Sequence, residues 1–250
     1  MIIYASDIVE TEIEEEIPDY PVNLFFTKEG YFKKITPISL RMGGEQKLKD
    51  GDVIQQSQES MNNTDLLFFS DKSQVYKTKA RDFSDTKASV LGEFIPAKLN
   101  MDEGESAIYM LATTDYSGYV FFFFENGKVA KVSLKAYETK TNRKKLTGAY
   151  SDKEKLSAIV FVNDEDSEIL MRSSSGRALL LHTGAIASKT TRNTQGVAVF
   201  KQRKGHRLIS AELYHEGMLQ TPQRYRTKSI PSSGALPTAE ELEGEQLELK

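Results

Sequence analysis

The chain has no cysteine among its 250 residues. That removes disulfides, thiolate zinc sites, iron–sulfur clusters and cysteine nucleophiles, and fits a reducing compartment. Histidine is nearly as scarce. His182, His206 and His215 are scattered, with no i, i+4 pair to hold zinc, and structural or surface roles are expected of them. With 7 Pro and 16 Gly the chain is neither collagen-like nor of low complexity. No apolar run exceeds six residues, as at Tyr119–Phe124, whereas a membrane helix needs roughly 18. The first twenty residues contain no Lys or Arg, so no targeting signal is read there. A soluble, cytoplasmic chain is expected. No G-x-S-x-G elbow, phosphate-binding loop or G-x-G-x-x-G fingerprint occurs. The acidic run 163–168 lacks the glycine and spacing of an EF-hand and reads as a solvated turn.

What is present is 39% hydrophobic and 28% charged residues, the profile of a globular protein. The formal net charge of −3 hides an asymmetry. Residues 1–20 hold seven acids and no base, and residues 238–250 hold five acids against Lys250, leaving 32 bases and 24 acids between them. Acidic ends on a basic body suggest a body that meets a polyanion; chance clustering on a solvated surface is the plain alternative.

Four segments align without gaps: Leu24–Ile35, Leu67–Thr78, Phe122–Val132 and Leu170–Leu181. Each is an apolar strand, a short polar turn, then a strand mixing apolar and basic residues. The turn position is Gly30, Ser73, Gly127 and Gly176, at intervals of 43, 54 and 49 residues. These are β-hairpins with glycine where a positive φ is wanted, repeating at the period of propeller blades. Polar starts running into apolar strands recur at 51–54, 104–108, 154–159 and 205–209. The spacing predicts blades made of that strand, then the hairpin, then a linker. The strand near 208–213 is followed by no further hairpin, and either completes a ring with the N-terminal strand or leaves it open. The fold class is all-β: a propeller-like ring of four-stranded blades, with four clear repeats and room for a fifth. Residues 1–20 read as an acidic lead-in, 21–214 as the β domain, and 215–250 as a Pro- and Ser-containing linker with an acidic tail. The only helix signal of note is the polar stretch 238–249.

Lysine and arginine recur once per unit, which places them around one rim of a ring. The candidates are Arg41, Lys47 and Lys49; Lys77, Lys79 and Arg81; Lys131, Lys140, Arg143, Lys144 and Lys145; and Lys189, Arg192, Lys201, Arg203 and Lys204. A positive rim suits a long curved polyanion, each cation neutralising a phosphate and releasing a counterion. Exposed strands also carry Lys simply to block edge pairing. The aromatics Phe25, Phe26, Phe68, Phe69 and Phe121–Phe124 fall on the apolar hairpin strand and read as core. Duplex backbone binding is thereby favoured over base stacking.

At Leu66–Phe69 through Val75–Lys77, at Gly127–Lys131 and at Thr191–Val197 the chain resembles the C-terminal domain of the A subunit of bacterial type IIA topoisomerases, gyrase and topoisomerase IV. The resemblance covers about residues 20–214 and implies a β-pinwheel, in which neighbouring blades exchange strands. It implies a non-catalytic domain that bends duplex DNA on its basic rim and presents a segment to an ATP-dependent strand-passage core. Implied partners are double-stranded DNA, the A-subunit cleavage domain and the ATPase B subunit, with no membrane, in the bacterial cytoplasm at the nucleoid. No cofactor is implied for this chain, ATP and Mg belonging to the whole enzyme, and none of the 11 Tyr matches the family's cleaving tyrosine. The gyrase box, of the Q-R-R-G-G-K-G type, corresponds to Arg41-Met42-Gly43-Gly44-Glu45-Gln46-Lys47. Glu45 there repels phosphate, which tilts the reading toward topoisomerase IV. A propeller-like protein-interaction module is the alternative from another class. A small glycan- or ligand-binding propeller enzyme is disfavoured by the missing acid–base pairs and metal ligands.

Deleting residues 1–20 removes seven acids. It is expected to tighten duplex binding at low salt and to have little effect at high salt, because exposed charges are screened beyond about 10 Å at 0.1 M. Unchanged low-salt affinity in fluorescence anisotropy would place the lead-in away from the DNA path.

Overall fold

A computed structural model describes residues 18–139 and 143–238. The 238–249 helix expectation, most of the acidic lead-in and the acidic tail lie outside the described residues. The strands are β1 (Pro21–Thr27), β2 (Tyr31–Ile35), β3 (Ile54–Met61), β4 (Asp65–Ser70), β5 (Gln74–Lys79), β6 (Glu93–Phe94), β7 (Ala107–Thr113), β8 (Tyr119–Phe124), β9 (Lys128–Ser133), β10 (Lys145–Thr147), β11 (Leu156–Val162), β12 (Glu168–Ser173), β13 (Ala178–His182), β14 (Val197–Ala198) and β15 (Leu208–Leu213). They form four small sheets, ordered β3-β1-β2-β6, β10-β5-β4-β7, β11-β8-β9-β14 and β13-β12-β15. The chain is a four-blade, all-β propeller.

Each predicted hairpin is present at its expected place. The turn residues Gly30, Gly127 and Gly176 have φ of 86°, 80° and 73°, and Ser73 takes the same left-handed conformation at 56°. The recurrent third strand follows its own hairpin rather than preceding it. Leu24 of β1 faces Gln58 of β3, and Leu170 of β12 faces Glu212 of β15. The last strand therefore completes blade 4.

The fourth strand is borrowed. Tyr31 of blade 1 pairs with Phe94, Val75 of blade 2 with Leu146, and Val129 of blade 3 with Val197. Each donor segment lies beyond the next hairpin in sequence, so consecutive blades are interlocked by exchanged strands of two or three residues. Blade 4 receives the same treatment from the segment expected to be a linker. Ala235 bridges Ala178, Arg226 bridges Leu180, and Tyr225 is buried beside Leu170 and Leu180. Residues 222–235 thus retrace on blade 4 the path that residues 86–94 take on blade 1. They belong to the folded body.

Period-two burial explains the apolar runs. On β8, Phe122 and Phe124 face a core shared with blade 2, while Phe121 and Phe123 face one shared with blade 4. A strand covered on both faces has no polar positions to alternate with. Each such Phe contributes roughly 1.5–3 kcal/mol of burial. A further core joins blades 1 and 2 through Phe26, Phe32 and Phe68, whose rings lie 5.6 Å apart for Phe26–Phe68 and Phe32–Phe68. Among the described residues no apolar cluster joins blade 1 to blade 4.

Third strands meet at the centre. The Gln56 side chain on β3 donates to the Met110 carbonyl and accepts from its amide, both at 2.7 Å, and Ser157 on β11 donates to the Leu208 carbonyl at 3.1 Å. With the third strands inside, the exchanged strands and the linkers feeding them form the outer rim.

Gly127 and Gly205 share a φ of 80°, but a Cβ on Gly127 would sit 1.9 Å from the Phe200 carbonyl oxygen, whereas Gly205 has open space. Gly127→Ala is expected to cost about 2–4 kcal/mol by expelling the exchanged segment, and Gly205→Ala about 1 kcal/mol from backbone strain alone. Urea denaturation separates the two, and equal losses would show that the close approach at Gly127 is unimportant.

Candidate nucleic-acid interface

The recurrent bases divide into two sets. Four residues after the hairpin turn stand Lys34, Lys77, Lys131 and Leu180. The Lys34 ammonium donates to Asn62 Oδ1 at 2.7 Å and pairs with Asp85 at 3.1 Å. That of Lys77 donates to the Tyr137 carbonyl at 3.0 Å and Thr139 Oγ1 at 3.1 Å, 5.0 Å from the Tyr116 ring centre. That of Lys131 pairs with Glu165 at 2.6 Å, donates to the Thr183 carbonyl at 3.2 Å and lies 4.3 Å from the Tyr119 ring centre. In each case one partner lies in the connection entering the next hairpin and another just after that hairpin. Lys131 is 1% exposed and Lys34 3%. Burial pushes the Lys77 ammonium below the usual lysine range, and the hydrogen bond from Lys131 holds Glu165 below the usual carboxylate range.

Lys77 and Lys131 were candidates for the rim; the structure buries Lys131 and leaves Lys77 half-buried, with both ammonium groups committed to partners within the protein. Arg192 is also occupied. Its Nη1 donates to the Ala136 carbonyl at 3.0 Å, and the guanidinium lies 6.0 Å from the Tyr137 ring centre. The acidic run read as a solvated turn supplies Glu165 to Lys131 and Glu168 to Arg226, so it is a structural turn.

The other candidates lie on exposed linkers or at the strands beside them. Lys49 pairs with Glu29 at 3.5 Å, Lys145 with Asp102 at 2.8 Å and Lys79 with Asp65. Arg81 donates to Asn63 Oδ1 at 3.3 Å. Such exposed pairs contribute about 0–1 kcal/mol, and a competing anion can exchange for the carboxylate. Arg41, Lys47, Arg143, Lys144, Lys189, Lys201, Arg203 and Lys204 are exposed, with no ion pair among the described residues. Lys140 lies outside the described residues. The second, third and fourth of these segments leave a hairpin and run to the outer edge of the preceding blade; the first lies against the returning segment around Ala88 at the edge of blade 1, so their cations share the rim. The first and second linkers carry few free cations; those after the third and fourth hairpins carry most of them. Lys87, which the sequence places with Arg81 on the second linker, is exposed and makes no ion pair with the described residues. Sequence reasoning missed that Lys34 and Lys33 are buried ties. Lys33 Nζ donates to Gln46 Oε1, to the Lys47 carbonyl and to the Ala88 carbonyl at 2.8, 2.7 and 3.2 Å.

Comparison with known proteins places this geometry. A family model described as DNA gyrase C-terminal domain, beta-propeller, matches residues 64–89 and 167–214, the second hairpin and most of blade 4. The DNA gyrase A subunit of Borrelia hermsii is 24% identical over 225 residues, covering 86% of this chain and 28% of that one. The DNA topoisomerase 4 A subunit of Staphylococcus aureus is 24% identical over 238 residues, covering 91% and 29%. The chain therefore spans less than a third of the curated relatives it matches. Among solved structures, the C-terminal domain of DNA topoisomerase IV superposes with a TM-score of 0.68 at 23% identity, covering 80% of this chain and 63% of that one. The E. coli ParC C-terminal domain gives 0.65 at 14% identity, covering 88% and 94%. The resemblance read from the hairpins is borne out. No helix among the described residues is long and apolar enough to cross a membrane.

Lys131→Met is expected to lower stability by about 1–3 kcal/mol, because the buried Thr183 carbonyl loses its donor. Lys144→Met should stay within about 0.5 kcal/mol. Chemical denaturation checks both, and equal stabilities would refute the division into buried ties and surface cations.

Proposed function

We propose that this chain, homologous to the C-terminal domain of type IIA topoisomerase A subunits, is the non-catalytic DNA-binding and DNA-bending domain of such a protein. In this reading it holds a duplex segment on its rim for the ATP-dependent strand-passage core. Its partners are double-stranded DNA, the A-subunit cleavage domain and the ATPase B subunit, in the bacterial cytoplasm. One observation carries the proposal: each outer linker presents exposed cations, and the interlocked blades hold those linkers in a fixed arc. Phosphate contacts of this kind need no sequence. No long helix is available to enter a major groove, the longest among the described residues being Pro37–Met42.

The distribution of charge supports a bend rather than a full wrap. The first linker pairs Lys49 with Glu29 and carries Glu45 between Arg41 and Lys47. The third and fourth linkers present Arg143, Lys144, Lys201, Arg203 and Lys204, all exposed. DNA held firmly by the later blades and loosely by the first follows a partial turn.

A gel-shift salt series on a duplex of roughly 150 base pairs tests this, since binding that releases counterions weakens steeply with salt. Arg143→Glu with Lys144→Glu is expected to weaken low-salt binding about tenfold, and Arg41→Glu with Lys47→Glu less. Unrelated duplexes should compete equally. Salt-independent binding, a strong sequence preference, or no binding would overturn the proposal; the last outcome favours a protein-interaction module.

A further inference from the structure

The one short helix of blade 1 is unusual in burying nothing. This helix, α1 (Pro37–Met42), is capped by Thr36 Oγ1 accepting from the Ser39 amide, and none of its residues is buried. Ile38 is 64% exposed and Met42 85%, one helical turn apart and hence on the same face. The equivalent 3-10 turns of the other blades bury at least one residue each: Ala80, Leu134 with Tyr137, and Thr183. The surroundings of α1 are fixed. A Cβ on Gly43 would meet Ala88 Cβ at 3.2 Å, and the Lys47 amide donates to the Ala88 carbonyl at 2.8 Å. The end of α1, Lys47 and the segment around Lys87 and Val90 (42% exposed) therefore make one surface.

Segments 36–49 and 86–92 together contain four bases and one acid, Glu45. An apolar tip ringed by cations has a polyanion with an apolar interior as its natural partner, and stacked bases under phosphates are that combination. Architectural DNA-binding proteins use Met, Ile or Leu in this way, inserting between base steps from the minor groove while flanking cations hold the phosphates. Methionine suits the task because its unbranched, polarizable side chain adapts to an irregular gap. Gly44, where a Cβ would meet nothing within 4 Å, leaves the backbone beyond the tip open to close approach.

We propose that Met42, backed by Ile38, is an apolar wedge that enters a base step of the bound duplex and kinks it at blade 1, with Arg41, Lys47 and Lys87 on the adjoining phosphates. The inference rests on the DNA-binding reading. It divides the labour between blades: the later linkers supply most of the free cations, and α1 supplies the deformation.

The test uses the whole chain with a duplex of about 40 base pairs, end-labelled for energy transfer and carrying 2-aminopurine at a central T-A step, the kind most easily unstacked. Ile38→Ser with Met42→Ser is compared with the parent and with Met42→Leu, which keeps an apolar wedge. All chains are compared at saturating protein, and the double variant is expected to keep the parent's salt slope, since no phosphate contact is removed. It should lose most of the bend and the 2-aminopurine brightening, while Met42→Leu retains both. Unchanged bend and fluorescence in the double variant would overturn the wedge while leaving the domain's function standing. Loss of both signals in Met42→Leu as well would overturn it too, since an apolar tip would then not suffice. A parent chain that fails to bind duplex at all overturns the DNA-binding reading itself, and the wedge with it.

Discussion

A lysine ammonium group four residues beyond the hairpin turn, buried at Lys34 and Lys131 and half-buried at Lys77, ties each of the first three blades to the next. Lys34, Lys77 and Lys131 each reach two connections of the following unit, so the hairpin of one blade fixes where the next begins and where its linker leaves. The linker then returns to pair with the very strand that carries the lysine. At Lys34 and Lys131 the lysine's own carbonyl accepts from the returning chain, from the Thr86 and Lys189 amides, at 2.8 Å each. Side chain and main chain of one residue thus hold both ends of the exchange. Breaking either leaves a buried charge or an unpaired carbonyl, both costly in a low-dielectric interior. Blade 4 confirms the logic by exception. Its equivalent residue is Leu180, and what covers it is the apolar Tyr225 of the tail rather than the polar connections of another blade.

Much of this was legible. The hairpins could be read from the turn residues and from runs such as Phe121–Phe124, because a strand buried on both faces must be continuously apolar. The exchanged strands could not. Glu93–Phe94 and Val197–Ala198 are two residues long, too short for any periodicity, and exist only because an open strand edge is waiting for them. Residues 215–237 have the composition of a linker, yet Tyr225 anchors them; a single large aromatic among Pro, Ser and Gly was the available signal. The lysines were misassigned for a different reason. Repetition at equivalent positions marks a residue that every blade needs, and both a ligand and an internal tie satisfy that condition. What separates them is the neighbours. Lys34, Lys77 and Lys131 sit inside strands between Phe32 and Ile35, beside Tyr76, and between Ala130 and Val132, whereas Arg143, Lys201 and Lys204 sit in polar linkers.

That separation alters the electrostatic picture. With the hairpin ammonium groups tied to partners within the protein, the unpaired cations of the rim are those of the linkers, and the third and fourth linkers carry most of them. The exposed pairs Lys49–Glu29 and Lys145–Asp102 are not lost to the rim, because weak pairing of solvent-facing charges yields to a phosphate.

Bending a duplex through a partial turn costs about 1–6 kcal/mol, and that cost must be met by contacts the straight duplex cannot make. Cations on a compliant loop would follow the DNA instead of shaping it. Here the second, third and fourth linkers are pinned at both ends, by a hairpin lysine where they leave a blade and by a borrowed strand where they reach the preceding one. The protein therefore imposes its curvature on whatever binds along the linkers. The same interlocking that compensates for the small core of each blade also fixes the shape of the surface on which the proposed duplex lies, so stability and the proposed function rest on the same contacts.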